Sequence, residues 1–229
     1  EDGIRHTVWV VDEPETMAGL EQTFREIPDF YIADGHHRAA SAVKVGQMRR
    51  ESRGSYSGEE EFNFFLAVLF PSDQLSIWDY NRVVTDLGGL SEEEFLEKTG
   101  ERFTVTPLAG MEKPAEKHAI HLYLGGKWYR LQAKPGTFRE DDPVERLDVS
   151  ILQQNLLAPV LGIGDPRTDK RIEFVGGIRG LEELVRLVDG GMAAAFAMYP
   201  TTLEDLMDIA DSGKIMPPKS TWFEPKLRS

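Results

Sequence analysis

Apolar residues recur along this chain with a helical period in some stretches and a strand period in others, and the switches between them outline the elements. Thr7 to Val11 alternates and predicts a strand ending at Asp12. Met17, Leu20, Phe24 and Ile27 recur at helical spacing, which predicts an amphipathic helix over 14–26. Pro14 suits its first turn, and Glu13 and Glu15 lie near the positive end of its dipole. Phe30 to Ile32 reads as a short buried strand, Asp34-Gly35 as a turn, and His36 to Arg50 as a second helix. The charged, Gly/Ser-bearing stretch from Arg49 to Glu61 lacks periodicity and predicts a mobile loop. Glu61 to Phe70 predicts a buried strand closed by Pro71, and Ser76 to Val84 another.

Farther along, Ser91 followed by Glu94 is a capping-box start to a helix reaching about Thr99. Phe103 to Val105 predicts a strand, and 119–124 with 127–132 a hairpin turning at Gly125-Gly126. A loop over 134–143 precedes a helix over 144–157. The last third predicts a strand over 172–175, a Gly176-Gly177 turn, a helix over 181–187 and a small-residue strand over 192–198. Thr201 or Thr202 then caps a final helix whose Leu203, Leu206, Met207 and Ile209 face inward. The fold class is therefore α/β (mixed α+β). Its expected parts are 1–85, a small β-hairpin subdomain over 86–135, and a C-terminal α/β part over 136–229, or else one composite domain.

Composition narrows the chemistry. The chain has 229 residues, enough for a substantial core, and no apolar run near the roughly 18 residues a membrane helix needs. No signal pattern opens it, a cytoplasmic location fits, and the Glu-Asp-Gly start suggests a trimmed N-terminus. Cysteine is absent, which excludes disulfides, thiolate metal sites (zinc or iron–sulfur) and thiol nucleophiles. A net charge of −13 argues against nucleic acid as a partner, because phosphate contacts demand a basic field. His36 and His37 are adjacent, and His118 and His121 would face opposite sides of a strand, so neither pair chelates.

Four segments concentrate charge or glycine at turns. In Asp34-Gly35-His36-His37-Arg38, a glycine turn entering a helix leaves free N–H groups aimed outward, which favours an anion. The alternative is an Asp34 N-cap followed by solvated basic residues. The run from Gly162 to Arg171 carries Arg167 and Arg171 beside carboxylates, either as a solvated, locally paired loop or as an anion contact. Gly176-Gly177 before a helix can cradle phosphate, although a plain tight turn explains it more simply. Lys219, Ser220 and Thr221 follow two prolines, which suits a fixed cation with two hydroxyl donors, or simply a segment anchored by Trp222 and Phe223. Arg82, inside an apolar run, is either an edge-strand cation in solvent or a neighbour of the anion pocket.

The Asp34–Arg38 motif resembles the signature of the ParB/sulfiredoxin superfamily, which includes the free serine kinases. The whole chain resembles a bacterial family of ParB-like or SerK-like proteins, through residues 32–38, 79–84, 165–171, 174–177 and 216–222. The resemblance implies a ParB/sulfiredoxin-like N-terminal part in which the turn and Arg38 hold phosphate. It also implies a catalytic glutamate, for which Glu13 and Glu15 are candidates fixed by no motif, and a family N-terminus longer than this chain's. The expected function is a nucleotide-dependent small-molecule kinase acting on a hydroxyl-bearing metabolite, with ATP, ADP or CTP as cofactor. In that reading Asp34 binds Mg²⁺ or orients the nucleophile, and His36 or His37 shuttles a proton. The alternative is a non-catalytic nucleotide or metabolite switch that sets a homo-oligomer's assembly.

Overall fold

In the computed structural model, residues 5 and 7–225 are described, and they divide into two units, Glu1–Asn63 and Phe64–Ser229. The first unit is helical. Helix α1 spans Pro14–Arg25 and α2 spans His36–Ser52, which extends the second helix into the stretch expected to be mobile. The end of α2 is pinned locally. Arg50 Nε donates to Asn63 Oδ1 at 2.9 Å, and a Cβ on buried Gly46 would lie 2.9 Å from the Phe62 carbonyl.

Three expected strands are absent. Thr7–Val11, Phe30–Ile32 and Glu61–Phe70 form no ladder, and the first three residues of the last make a short 3₁₀ turn. Most of their apolar side chains are exposed, Trp9 at 80% and Leu66 at 93%. A strand exists only where a second one supplies its hydrogen bonds, and apolar periodicity does not provide that partner.

The second unit is built on an antiparallel sheet. Strands β1 (Ser76–Trp78) and β2 (Tyr80–Val84) are followed by α3 (Glu92–Arg102), β3 (Phe103–Pro107), β4 (Ala119–Leu124) and β5 (Lys127–Ala133). Helix α4 (Asp148–Leu152) continues into a π-helical turn over Gln153–Leu157. Then come β6 (Ile172–Gly176), α5 (Leu181–Asp189), β7 (Ala194–Ala197), α6 (Leu203–Asp211) and β8 (Trp222–Glu224). Six strands pair in the order β3-β5-β4-β7-β2-β6, and β1 pairs with β8 in a separate two-stranded sheet. The β4–β5 hairpin turns at Gly125-Gly126, both at positive φ, and hydrogen-bonds onward to β7, so residues 119–133 share one sheet with β2 and β6. The molecule is thus mixed α/β, with six α-helices and two antiparallel sheets among the described residues.

Alternation along the strands sends successive residues to opposite faces. Val84, Leu122 and Phe196 enter a large core with α3 and α4, whereas Val83, Tyr123 and Ala195 enter a smaller one with α5. The alanines of β7 let that strand sit fully buried at the middle of the sheet. No helix among the described residues is long and apolar enough to cross a membrane.

Candidate functional site

In the first unit, α2 begins after Gly35, whose φ of 80° and ψ of 26° place it in the left-handed region. Glycine reaches that conformation without a Cβ penalty. No side chain caps the helix, because Asp34 Oδ1 accepts the Gly35 N–H at 2.8 Å instead. The first helical bond runs from Ala39 N to Gly35 O at 3.0 Å. The N–H groups of His36, His37 and Arg38 therefore lie at the positive end of the dipole with no protein acceptor among the described residues. Asp34, His36, His37 and Arg38 are all exposed. The Arg38 guanidinium folds back over the turn, where a Cβ on Gly35 would lie 3.2 Å from Nη2. Backbone donors and a guanidinium thus face the same open bend.

The second unit gathers several of the other candidates. Arg82 on β2 is buried, against the edge-strand reading. It donates to Tyr80 O, and through Nη2 to Lys219 O at 2.8 Å, and its guanidinium stacks 5.5 Å over the Phe174 ring. Burial pulls its pKa down to about 10, still leaving it charged at neutral pH. Lys219 has a positive φ of 58°, with Nζ 5.7 Å from the Tyr80 ring centre and 6.0 Å from that of Phe174. Ser220 is buried, with Oγ donating to Pro217 O at 2.6 Å and its own carbonyl accepting from Thr201 Oγ1 at 3.0 Å. Thr221 follows, half-buried.

Gly177 N donates to Asp79 O at 2.7 Å, and a Cβ there would lie 2.2 Å from Asp79 Oδ1. A Cβ on Gly176 would lie 2.9 Å from the Trp222 indole. These two glycines are therefore close-approach positions that fasten β6 to the segment beginning at Asp79 and to β8. Arg82 and Lys219 thus come together, with the Arg82 donors, the Gly177 N–H and the Ser220 hydroxyl already taken by carbonyls and Lys219 Nζ facing two rings.

Arg167 and Arg171 do not join them. Arg167 forks onto Asp165, and Arg171 onto Asp169 and the carbonyls of Leu161 and Gly162. These pairs are local, except that Arg171 Nη1 also lies 3.8 Å from Asp86 Oδ1. Among the described residues no group of three or more acidic or imidazole side chains could hold a metal ion. His121 is buried with Nδ1 2.8 Å from Glu112 O.

One cavity, of about 110 Å³, lies among residues that the sequence did not mark as a site. Lys117, His118, Arg146, Asp148, Thr201 and Asp205 line it, with Leu147, Tyr199 and Pro200. Asp148 opens α4, and its Oδ1 accepts the His118 N–H at 2.6 Å. His118 itself adopts a φ of 67°. Burial raises the Asp148 pKa to about 7. A carboxylate after an apolar residue inside the helix predicted over 144–157 carries no motif, and only the fold brings it near Lys117 and Asp205.

A family model described as "Protein of unknown function (DUF1015)" matches residues 1–150. No curated protein matches the chain. Among solved structures, free serine kinase in complex with AMP is 17% identical over 93% of this chain and 81% of that one, with a TM-score of 0.45. A mutant of free serine kinase in complex with ADP has the same identity and coverage and a TM-score of 0.46. A conserved hypothetical protein from Pyrococcus furiosus is also 17% identical, over 84% of this chain and 68% of that one, with a TM-score of 0.44.

Proposed function

This chain belongs to the DUF1015 family, proteins of unknown function, and we propose that it binds the phosphate of a nucleotide at the start of α2. The observation that supports this most is the open bend at Gly35, where an uncapped helix start and the Arg38 guanidinium face the same place. Unsatisfied N–H groups, a helix dipole and a guanidinium all favour a phosphate. The resemblance of the motif to that of free serine kinases makes a nucleotide the first ligand to test, and a hydroxyl-bearing metabolite the acceptor.

In this reading Arg38 and the amides of His36 and His37 hold phosphate oxygens, and His36 or His37 carries the acceptor's proton. Phosphoryl transfer needs positioning and charge neutralisation more than covalent help. Mg²⁺ takes few protein ligands and keeps several waters, so a single exposed carboxylate, Asp34, fits it only together with substrate phosphates. The ion would supply neutralisation of phosphate charge. Arg82 and the Ser220 hydroxyl already donate to carbonyls of their own unit, so they, with Lys219 and Thr221, are placed second.

The test is a binding and turnover assay with ATP, ADP or CTP, Mg²⁺, and amino-acid or polyol acceptors. Binding that Arg38→Ala weakens by about tenfold or more is expected, from the worth of a charge-assisted hydrogen bond. Absence of both binding and turnover across that panel contradicts the proposal. A second reading, nucleotide-set assembly without chemistry, draws on the apolar side chains exposed in the same unit, Val8 and Trp9 among them. A nucleotide-dependent change in particle size by light scattering, with no product formed, distinguishes it.

A further inference from the structure

The cavity in the second unit stands apart from the phosphate reading and has its own chemistry. Asp148 is 8% exposed, and its one hydrogen bond among the described residues is the His118 N–H on Oδ1. No sealed side-chain oxygen among the described residues lacks a partner, so the unbonded Oδ2 is open to the cavity that Asp148 lines. An acceptor in a nine-tenths-buried carboxylate is thereby aimed at empty space large enough for a few heavy atoms, since one water takes about 10–15 Å³ on that scale.

The charges around it narrow what can enter. Lys117 Nζ is 2.8 Å from Asp205 Oδ1, and Arg146 pairs with Asp208 while lying 4.0 Å from Asp205. Both cations at the cavity are thus already matched by carboxylates of α6. An anionic ligand would meet Asp148 and Asp205 and find no free cation among the lining residues. A neutral hydroxyl could donate to Oδ2, but once Asp148 ionises it would add no charge to the limited help that Lys117 and Arg82 give.

We propose that this cavity binds a small amine of the amino-alcohol class, its ammonium donating to Asp148 Oδ2. Thr201, which gives its own proton to Ser220 O, keeps lone pairs to accept the ligand's hydroxyl. Burial, more than any neighbouring charge, has lifted Asp148 into the neutral range, and an ammonium restores its ionised form. The groups facing it are Lys117 and His118 ahead of β4, Arg82 of β2, Arg146 ahead of α4, and Asp205 of α6. Of these only the imidazole of His118 ordinarily titrates near neutrality, and burial holds it below its usual value.

The experiment is a titration of the full chain with ethanolamine, followed by ¹H–¹⁵N NMR, with glycerol and acetate as matched controls. Saturable shifts at the His118 amide are expected at millimolar concentration, given so few ligand atoms. Affinity should rise about tenfold from about pH 6 to about pH 8 as Asp148 ionises, because the amine stays protonated over that range. Asp148→Asn should weaken binding at least tenfold while the thermal transition persists. Absence of saturable shifts, glycerol or acetate binding as well as ethanolamine, a flat pH profile, or unchanged affinity in a folded Asp148→Asn chain each overturns the proposal. If Asp148→Asn does not fold, the pH profile and the controls on the native chain decide alone.

Discussion

Gly35 carries the phosphate reading through its backbone. Its φ of 80° lies where a Cβ costs about 1–2 kcal/mol, and a Cβ would also crowd Arg38 Nη2 at 3.2 Å. Gly35→Ala should therefore weaken nucleotide binding by moving both the helix start and Arg38, with a lower Tm by calorimetry. Unchanged affinity would mean that the bend does not hold the ligand. Asp148 makes a separate prediction about stability. Its folded pKa of about 7 lies above its unfolded value near 3.8, so the folded state holds the proton more tightly. Its contribution is favourable below about pH 4 and is lost as pH rises toward 7, on the order of a few kcal/mol. Urea titrations from about pH 4 to about pH 8 should show Asp148→Asn gaining stability relative to the native chain as pH rises. A constant difference between the two would contradict this.

Elements with their own local start and stop signals were readable from the amino-acid order. Ser91 and Glu94 form the reciprocal cap that begins α3, the Gly125-Gly126 turn closes β4 onto β5, and Thr202 caps α6 through Asp205. Strand composition was a poorer guide, because it found β2, β3, β6 and β7 but also marked stretches that lack a partner. Thr7–Val11 and Phe30–Ile32 have strand composition without a ladder, and the π-helical turn over Gln153–Leu157 has no signal in its apolar spacing. The candidate residues divide in the same way. The Asp34–Arg38 bend is contiguous and could be read directly. The cavity joins Lys117 to Asp205 across 88 positions, and no motif links them. Asp205 has two duties, capping α6 with Thr202 and pairing with Lys117. Thr202→Ala should cost about 1 kcal/mol from the lost cap, read by chemical denaturation. It should also loosen Asp205 beside the cavity, weakening any ethanolamine signal. Gly177→Ala tests the other close approach, because its Cβ must displace Asp79 and lower the Tm.

The net charge of −13 opposes anions at long range, so the chain must bind phosphate through a local arrangement rather than through its overall field. The second unit contains two buried cores on the two faces of its six-stranded sheet, formed entirely from its own residues. Residues 64–229 expressed alone are therefore expected to keep a cooperative thermal transition, and a featureless melt would show that they require the first 63 residues. A nucleotide seated on α2 should then be bound by the full chain and not by residues 64–229. The most direct measurement is a titration of the ¹⁵N-labelled full chain with ADP, reading the backbone amides of His36, His37 and Arg38. Saturable shifts centred on those three amides, abolished by Arg38→Ala, are the predicted result. ADP binding that leaves them unmoved, or no binding, would contradict it.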